Sequence, residues 1–175
     1  EFKGLPRPRL PKRVAADECT VILYTSGTSG KPKGVMLTEQ NLVTEVKAID
    51  DAAQGLPIET FLGVLPQFHS FGLTALTLWP LYRGNKIIYS ARFAPRKLHQ
   101  LIRKHRPNVF FGVPAMFNAM LSLKKAEPAD FESLQFSVAG GEPLPRPVCE
   151  KLMERFGLPV YEGYGLTETA PVTNC

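Results

Sequence analysis

The residues best suited to chemistry lie in one short loop that combines glycines, hydroxyl side chains and lysines. The loop covers residues 25–34, with the sequence TSGTSGKPKG, and holds three glycines, four hydroxyl residues and two lysines. Glycines permit positive φ and a close backbone approach, so successive N–H groups can converge on an anion. This composition indicates a phosphate-binding loop, with candidate ligands Thr25, Ser26, Gly27, Thr28, Ser29, Gly30, Lys31 and, beside them, Lys33.

The loop differs from the phosphate-binding loop of P-loop kinases. In that pattern the Gly-Lys pair is followed by Ser or Thr, whereas here Lys31 is followed by Pro32. A P-loop kinase is therefore the alternative interpretation, and the proline at position 32 argues against it. The apolar residues just before the loop predict a strand over Thr20–Thr25 that ends at it.

Composition and the distribution of charge argue against a membrane-spanning protein and against a nucleic-acid-binding protein. The 175 residues, 44% of them hydrophobic, suit one compact domain, and no apolar run reaches the ~20 residues that span a bilayer. Residues 1–13 contribute +4 of the net charge of +5, so a nucleic-acid-binding surface is not supported elsewhere. With three prolines, residues 1–13 are predicted to form a basic, extended linker, and residues 14–175 the folded domain. An SH3-type ligand or an acidic-lipid contact is the alternative for that linker.

The three cysteines give no sign of a disulfide framework or a zinc site. Cys19, Cys149 and Cys175 are far apart and form no Cys-x-x-Cys pair. No signal-peptide pattern opens the chain. We therefore expect a reducing, cytoplasmic location.

Alternating apolar and amphipathic segments predict an α/β fold, with a mainly parallel sheet and helices on both faces. The strand candidates are Thr20–Thr25, Gly34–Leu37, Phe61–Leu65, Lys86–Tyr89, Val109–Phe111, Gln135–Ala139 and Pro159–Tyr161. Helical patterns cover residues 39–54, 71–82, 95–105, 114–126 and 145–156. Ligands bind beyond the carboxyl ends of parallel strands. The sequence therefore predicts one site there, formed by the phosphate loop and residues 66–72, 112–115, 140–143 and 163–168.

Four segments resemble, in order, motifs of the adenylate-forming enzymes, the superfamily of acyl-CoA synthetases, peptide-synthetase adenylation domains and luciferases. The segments are YTSGTSGKPKG at 24–34, LPQFHSFG at 65–72, AGGEPL at 139–144 and YEGYGLTET at 161–169. They resemble that superfamily's phosphate loop, its Pro-x-x-His motif, its Gly-Gly-x-Pro-Leu turn and its Tyr-Gly-x-Thr-Glu motif. The chain is identified as a central piece of the N-terminal AMP-binding domain of this superfamily.

The resemblance implies ATP-dependent activation of a fatty acid to an acyl-adenylate, followed by thioester transfer. It is strongest to the long-chain acyl branch, including the synthetase part of the acylglycerophosphoethanolamine acyltransferase type. The implied cofactors are ATP and Mg²⁺, and the implied acceptor is coenzyme A or the phosphopantetheine arm of an acyl carrier protein. No general base is needed, because a fatty acid is already a carboxylate at neutral pH. The alternative is a non-catalytic nucleotide- or acyl-binding module.

The resemblance also assigns roles to individual residues. Glu168 would hold Mg²⁺, which prefers hard oxygen ligands, Thr167 would contact the α-phosphate, and His69 would orient the substrate carboxylate. Tyr164 would stack on adenine, opposite the backbone of residues 140–143. The implied catalytic residues are His69, Thr167, Glu168 and Lys31. The further cofactor-binding residues are Gly140, Gly141, Glu142, Pro143, Gly163, Tyr164 and Gly165.

Some of these residues also have a purely structural interpretation. A Thr-Glu pair near a strand end is more typical of a helix cap, and a histidine among aromatic residues is more often packed or superficial; the neighbouring motifs favour the functional interpretation. Glu142 departs from the superfamily, many members of which have a small residue there. We expect His99 and His105 to be structural. The expected acyl-pocket residues are Phe68, Phe71, Gly72, Val113, Pro114 and Ala139.

The motifs that would complete the site follow Glu168 in the superfamily. They are a ribose-binding aspartate, an arginine, a hinge and a C-terminal domain with a catalytic lysine. The chain ends seven residues after Glu168. We therefore expect this chain alone to be inactive and to self-associate through exposed apolar surface, and its parent to be able to associate peripherally with membranes.

Overall fold

The computed structural model describes residues 15–27 and 30–174. The linker predicted over residues 1–13, together with Thr28, Ser29 and Cys175, lies outside the described residues. The described part consists of a two-stranded hairpin and a six-stranded sheet that is packed between helices. The predicted α/β fold with a mainly parallel sheet is confirmed.

The hairpin carries the predicted phosphate loop. Its strands, β1 (Cys19–Thr25) and β2 (Lys33–Thr38), pair antiparallel, with Thr25 opposite Lys33. The prediction that this loop follows a strand of the parallel sheet is therefore wrong. The connection, residues 26–32, is too short for a parallel crossover, which needs about a dozen residues or more. The hairpin packs on its neighbours through a small apolar cluster of Leu23, Leu37, Leu42 and Ala170.

The six-stranded sheet is parallel except at one edge. Its strands are β3 (Thr60–Gly63), β4 (Lys86–Tyr89), β5 (Val109–Gly112), β6 (Phe136–Gly140), β7 (Tyr161–Gly165) and β8 (Val172–Asn174). They lie side by side in the order β4-β3-β5-β6-β7-β8. Only β7 and β8 pair antiparallel among these neighbours.

Helices connect these strands. They are α1 (Glu39–Ala52), α2 (Ser70–Leu73), α3 (Trp79–Arg83), α4 (Pro95–His105), α5 (Pro114–Met120) and α6 (Arg146–Phe156). A π-helical turn over Thr74–Leu78 joins α2 to α3, and 3₁₀ turns cover Pro128–Asp130 and Thr167–Thr169. Helix α1 begins after Thr38, whose hydroxyl oxygen accepts a hydrogen bond from the Asn41 N–H over 3.1 Å. A Thr cap of this kind satisfies an N–H that the first helical turn leaves unpaired.

Alternation along the strands produces an apolar core on each face of the sheet. Leu62 and Phe110 belong to the cluster that contains residues of α4, α5 and α6. Phe61 and Phe111 belong to the cluster that contains residues of α1, the π turn and α3, with the buried Trp79. Successive side chains of a strand point to opposite faces, so a strand buried on both sides is apolar at every position. This confirms that helices cover both faces.

Some predicted boundaries are wrong, for identifiable reasons. The helix predicted over 114–126 ends at Met120 and continues as turns. The Arg155 guanidinium binds the carbonyl oxygens of Leu121 and Leu123 there, which takes them from a continuing helix. The strand predicted at 159–161 instead begins at Tyr161 and runs to Gly165. Its two glycines have low strand propensity, so the sequence pattern does not indicate a strand there. Strand β8 was not predicted, since three residues are too few for a pattern.

The order of the sheet reverses between β3 and β5. From β3 the chain passes to the edge strand β4, returns past β3 to β5, and continues outward to β7. Ligands of open α/β sheets bind at the carboxyl ends of the strands, at such a reversal. The connection after β3 carries His69. The topology therefore brings His69 to the edge of the sheet where a ligand is expected.

Candidate functional site

One cavity of about 960 Å³ lies at this edge and collects most of the predicted site residues. Those that line it are Thr25, Ser26, Gly27, Lys33, His69, Gly140, Gly141, Gly163, Tyr164, Gly165, Thr167 and Glu168. Gly30, Lys31, Glu142 and Pro143 are exposed and do not line it. Thr28 and Ser29 lie outside the described residues.

The hairpin forms the cationic wall of the cavity. Thr25 and Lys33 are cross-strand partners, so the hydroxyl and the ammonium-bearing residue lie at the same level. Gly27 has φ +61°, and a Cβ added there would collide with the Lys31 carbonyl oxygen. Only glycine therefore fits this turn without rearrangement. The wall combines backbone close to the cavity with one lysine, as a phosphate site requires.

The Thr167–Glu168 turn forms the second wall. It follows β7, where Gly165 packs so closely that an added Cβ would collide with the Pro171 carbonyl oxygen. The Thr169 hydroxyl donates to the Pro171 carbonyl over 2.7 Å and accepts from the Leu166 N–H over 3.2 Å. The turn is thus held compactly by its own polar groups, with the Glu168 side chain exposed on the cavity.

The glycine turn after β6 and the end of β7 meet beside Phe71. A Cβ on Gly140 would lie 2.9 Å from a ring carbon of Phe71, and Gly141 has φ +86°. Tyr164, which is 60% exposed, lines the same cavity. A flat aromatic ligand would find one exposed tyrosine ring and a side-chain-free backbone here. Glu142 takes no part in the lining, so its departure from the superfamily pattern does not alter this surface.

His69 has one ring nitrogen committed and one available. Its Nδ1 accepts a hydrogen bond from the Phe71 N–H over 3.3 Å, where the residue caps α2. The geometry assigns the proton of the neutral ring to Nε2. His69 is exposed and lines the cavity, so Nε2 is a donor that a carboxylate oxygen can use.

The apolar wall comes mainly from α1 and the aromatic residues below it. It is formed by Ala48, Ile49, Ala52, Ala53, Leu56, Phe71, Phe111, Phe136 and Val138. The Phe71 and Phe111 rings stack with centroids 5.7 Å apart. Of the expected acyl-pocket residues, only Phe71 lines this cavity. Phe68 is 84% exposed and off the cavity, while Gly72, Val113, Pro114 and Ala139 do not line it.

Sequence reasoning missed the contribution of α1. The available signal is its run of small and apolar residues at helical spacing between residues 48 and 56, where the sequence predicts a helix over residues 39–54 and no part in the site. Ala48 and Ala52 are exposed despite their apolar character. Small side chains on a helix that faces a cavity leave room for a ligand.

Two carboxylates on α1 have pKa values displaced in opposite directions. Burial raises the pKa of Glu45, and the hydrogen bond from the Val172 N–H offsets this only in part. A hydrogen bond from Trp79 Nε1 (3.0 Å) and the Arg83 guanidinium (2.6 Å) hold the pKa of Asp50 below its ordinary value, against the effect of burial. Asp50 therefore anchors α1 to α3.

His99 lies away from the cavity. It contacts the Asp130 carboxylate over 2.7 Å and stacks on Phe131 with centroids 5.7 Å apart. Both contacts join α4 to the 3₁₀ turn at Pro128–Asp130, as expected of a structural histidine. His105 is the last residue of α4 and also does not line the cavity.

The lining residues fit a magnesium nucleotide. Within residues 15–27 and 30–174, no group of three or more His, Cys, Asp or Glu side chains could form a complete metal cage. Mg²⁺ is usually held by one or two carboxylates, with phosphate oxygens and water filling the other positions. Glu168 provides one carboxylate on the turn that packs beside the hairpin, so it could hold Mg²⁺ together with a bound phosphate.

Comparison with known proteins supports the same interpretation. The model of the family described as "AMP-binding enzyme" matches residues 2–175. A long-chain-fatty-acid–CoA ligase of Bacillus subtilis is 36% identical over 169 residues, covering 94% of this chain and 30% of that protein. A feruloyl-CoA synthase of an Amycolatopsis species is 34% identical, covering 94% of this chain and 33% of that protein.

Solved structures agree with the fold. ATP-bound MatB from Rhodopseudomonas palustris superposes with a TM-score of 0.83 at 28% identity, over 92% of this chain and 32% of that protein. An o-succinylbenzoate CoA synthetase (MenE) from Bacillus subtilis, in complex with the acyl-adenylate intermediate OSB-AMP, superposes with a TM-score of 0.78 at 32% identity. That match covers 89% of this chain and 31% of MenE.

The chain thus spans about 30% of the length of the curated relatives it matches. Its matched region includes the phosphate hairpin, the His69 segment, the glycine turn after β6 and the Thr167–Glu168 turn. With a family model that matches almost from end to end, the chain belongs to the AMP-binding enzyme family.

Proposed function

We propose that the protein carrying this chain activates a fatty acid with ATP, forming an acyl-adenylate and releasing pyrophosphate, and then transfers the acyl group to a thiol. The observation that carries the proposal is a single cavity with a cationic hairpin and a Thr-Glu turn at one side and an apolar helix face at the other. A nucleoside triphosphate matches the cationic and Thr-Glu side, and the apolar tail of a long carboxylic acid matches the helix face.

The polar walls suit attack of a carboxylate oxygen on the α-phosphorus. The reaction joins two anions, so positive charge and N–H donors must offset their repulsion. Lys33 and the backbone around Gly27 provide these on the hairpin, and Thr167 provides a hydroxyl. His69 Nε2 would orient the attacking carboxylate. Mg²⁺ held by Glu168 would neutralise phosphate charge.

The α1 wall supports an elongated acyl chain. Its lining residues extend from Glu45 to Ala52 along the helix and continue to Leu56. At 1.5 Å per residue, the helical part alone corresponds to about 10 Å. The alanines leave that length open, and the similarity to a long-chain-fatty-acid–CoA ligase leads us to propose a long-chain rather than a short-chain acid. The aromatic residues Phe71, Phe111 and Phe136 would form the floor.

The thiol acceptor is coenzyme A in this proposal, with the phosphopantetheine arm of an acyl carrier protein as the alternative. The relatives named as CoA ligases favour coenzyme A. We propose the cytoplasm as the compartment, with peripheral membrane association of the full-length protein. None of the helices in the described part of the chain is long and apolar enough to cross a membrane.

The proposal is tested by pyrophosphate exchange into ATP with the full-length protein, across linear fatty acids of increasing length and aromatic acids of similar size. We expect exchange that depends on the acid and is fastest with long-chain acids. Exchange only with aromatic acids would overturn the acyl assignment. No exchange with any acid would overturn the proposed activity.

A further inference from the structure

Glu45 makes a hydrogen bond that joins two parts of the chain that are distant in sequence, at the wall of the cavity. Its Oε1 accepts the Val172 N–H over 2.8 Å, between residues 127 positions apart. Glu45 lies on the face of α1 that lines the cavity. It therefore connects the helix of the apolar wall with the segment that follows the Thr167–Glu168 turn.

This bond has no equivalent among the other side-chain hydrogen bonds of that segment in the described part of the chain. The Thr169 hydroxyl bonds only to Leu166 and Pro171, and the Thr173 hydroxyl to Tyr164 and Asn174. All of these lie within residues 164–174. Among residues 15–27 and 30–174, Glu45 is thus the one side chain from outside the segment that holds it by a hydrogen bond.

The bond also offsets part of the free-energy cost of burying the Glu45 carboxylate. Burial raises the pKa of Glu45 because desolvation disfavours its charge, and the Val172 N–H acts in the opposite direction. Without that donor the carboxylate would lose its compensation, and without the carboxylate the Val172 N–H would lose its acceptor. Either loss favours separation of α1 from the turn.

We propose that Glu45 is a positioning residue that fixes the Thr167–Glu168 turn relative to α1, so that the phosphate-facing and apolar walls of the cavity keep one geometry. The inference rests on the proposed function, in which the turn and α1 serve one reaction. Glu45 acts through the backbone of Val172 and itself touches no reacting atom. What matters is an oxygen acceptor at this position rather than its negative charge.

Two variants of matched length test this in the full-length protein. Glu45→Gln keeps an oxygen acceptor, and Glu45→Met removes it. In pyrophosphate exchange we expect Glu45→Gln to stay within about twofold of the unaltered protein, and Glu45→Met to lower kcat about tenfold with a smaller change in the KM for the acid. When Glu168→Gln is already present, adding Glu45→Met should lower kcat by less than about a further twofold, because the two residues act through the same turn.

Hydrogen exchange of the peptide covering residues 165–174 gives a readout that needs no activity. The Val172 amide should exchange faster in Glu45→Met than in Glu45→Gln. The inference would be overturned if the Val172 amide exchanged equally fast in both variants, or if both variants lost kcat equally. Full additivity of the kcat losses of Glu45→Met and Glu168→Gln would also overturn it. If the unaltered protein shows no exchange of pyrophosphate with any acid, the proposed function fails, and the amide measurement still decides the role of Glu45.

Discussion

Glu168 and His69 reach the cavity from different elements, and each has an exposed side chain that lines it. Within the part of the chain that the structure describes, the turn of Glu168 is stabilised by hydrogen bonds of Thr169 and not by the Glu168 carboxylate. His69 is oriented by the Phe71 N–H. Glu168 can therefore be changed with little damage to the fold, whereas a change of His69 also removes the cap of α2, which costs about 1 kcal/mol.

Replacement of Glu168 by Gln should lower adenylation about a hundredfold or more, because one ligand of a charge-stabilised phosphoryl-transfer site is lost. The free energy of unfolding should change by only about 0.5 kcal/mol, as for most exposed sites. Pyrophosphate exchange at limiting Mg²⁺ and thermal unfolding measure the two effects. Near-normal exchange at limiting Mg²⁺ would contradict the metal-binding role.

Replacement of His69 by Ala should raise the KM for the fatty acid more than the KM for ATP, because its Nε2 is assigned to the substrate carboxylate. Steady-state exchange kinetics with each substrate varied in turn give the two constants. The matched control is Phe68→Ala, which alters an exposed neighbour off the cavity and should leave both constants unchanged. A rise confined to the KM for ATP would show that His69 is wrongly placed.

At the scale of elements, α1 provides the apolar wall, and two of its carboxylates attach it to other elements. Asp50 bonds to Trp79 and Arg83 of α3, and Glu45 bonds to Val172. Helix α1 was predicted from its pattern, but its role at the site was not, because a stripe facing a cavity and a stripe facing a core look alike in sequence. The antiparallel hairpin could have been inferred from the short connection between β1 and β2.

Replacement of Ala52 by Phe should shorten the preferred acid, because a ring would fill the space that α1 leaves open. We expect kcat/KM for palmitate to fall at least about tenfold, with that for octanoate much less affected. The control is Val43→Phe, on an exposed position of α1 that does not line the cavity. Equal losses for both acids would show that Ala52 does not face the acyl chain.

At the scale of the whole molecule, periodicity predicted the α/β fold with its mainly parallel sheet, and the motifs predicted many of the polar residues that the structure brings to one cavity. The position of the polar walls could be predicted because the glycine turns and the Thr-Glu pair occur in a fixed order along the chain. The apolar wall could not, because hydrophobic residues satisfy a pocket in many combinations. The pairing of Glu45 with Val172 arises only when residues 127 positions apart meet in the fold.

The isolated chain should form no acyl-adenylate at a useful rate, since it spans about 30% of the length of its relatives. Removing even one preorganised charge-stabilising group costs about 3–4 kcal/mol of barrier. Mixing the purified chain with ATP, Mg²⁺, palmitate and coenzyme A and measuring AMP checks this. Turnover comparable with that of the full-length protein would show that the residues of this chain suffice.

The most direct test of the central claim follows an oxygen atom through the reaction. The full-length protein is supplied with palmitate labelled with ¹⁸O in its carboxylate, ATP, Mg²⁺ and coenzyme A. Attack of the carboxylate on the α-phosphorus followed by thiol attack on the carbonyl carbon must leave one ¹⁸O in AMP, and mass spectrometry should find it there. ¹⁸O in inorganic phosphate, with ADP as the nucleotide product, would mean attack at the γ-phosphorus and would contradict adenylation.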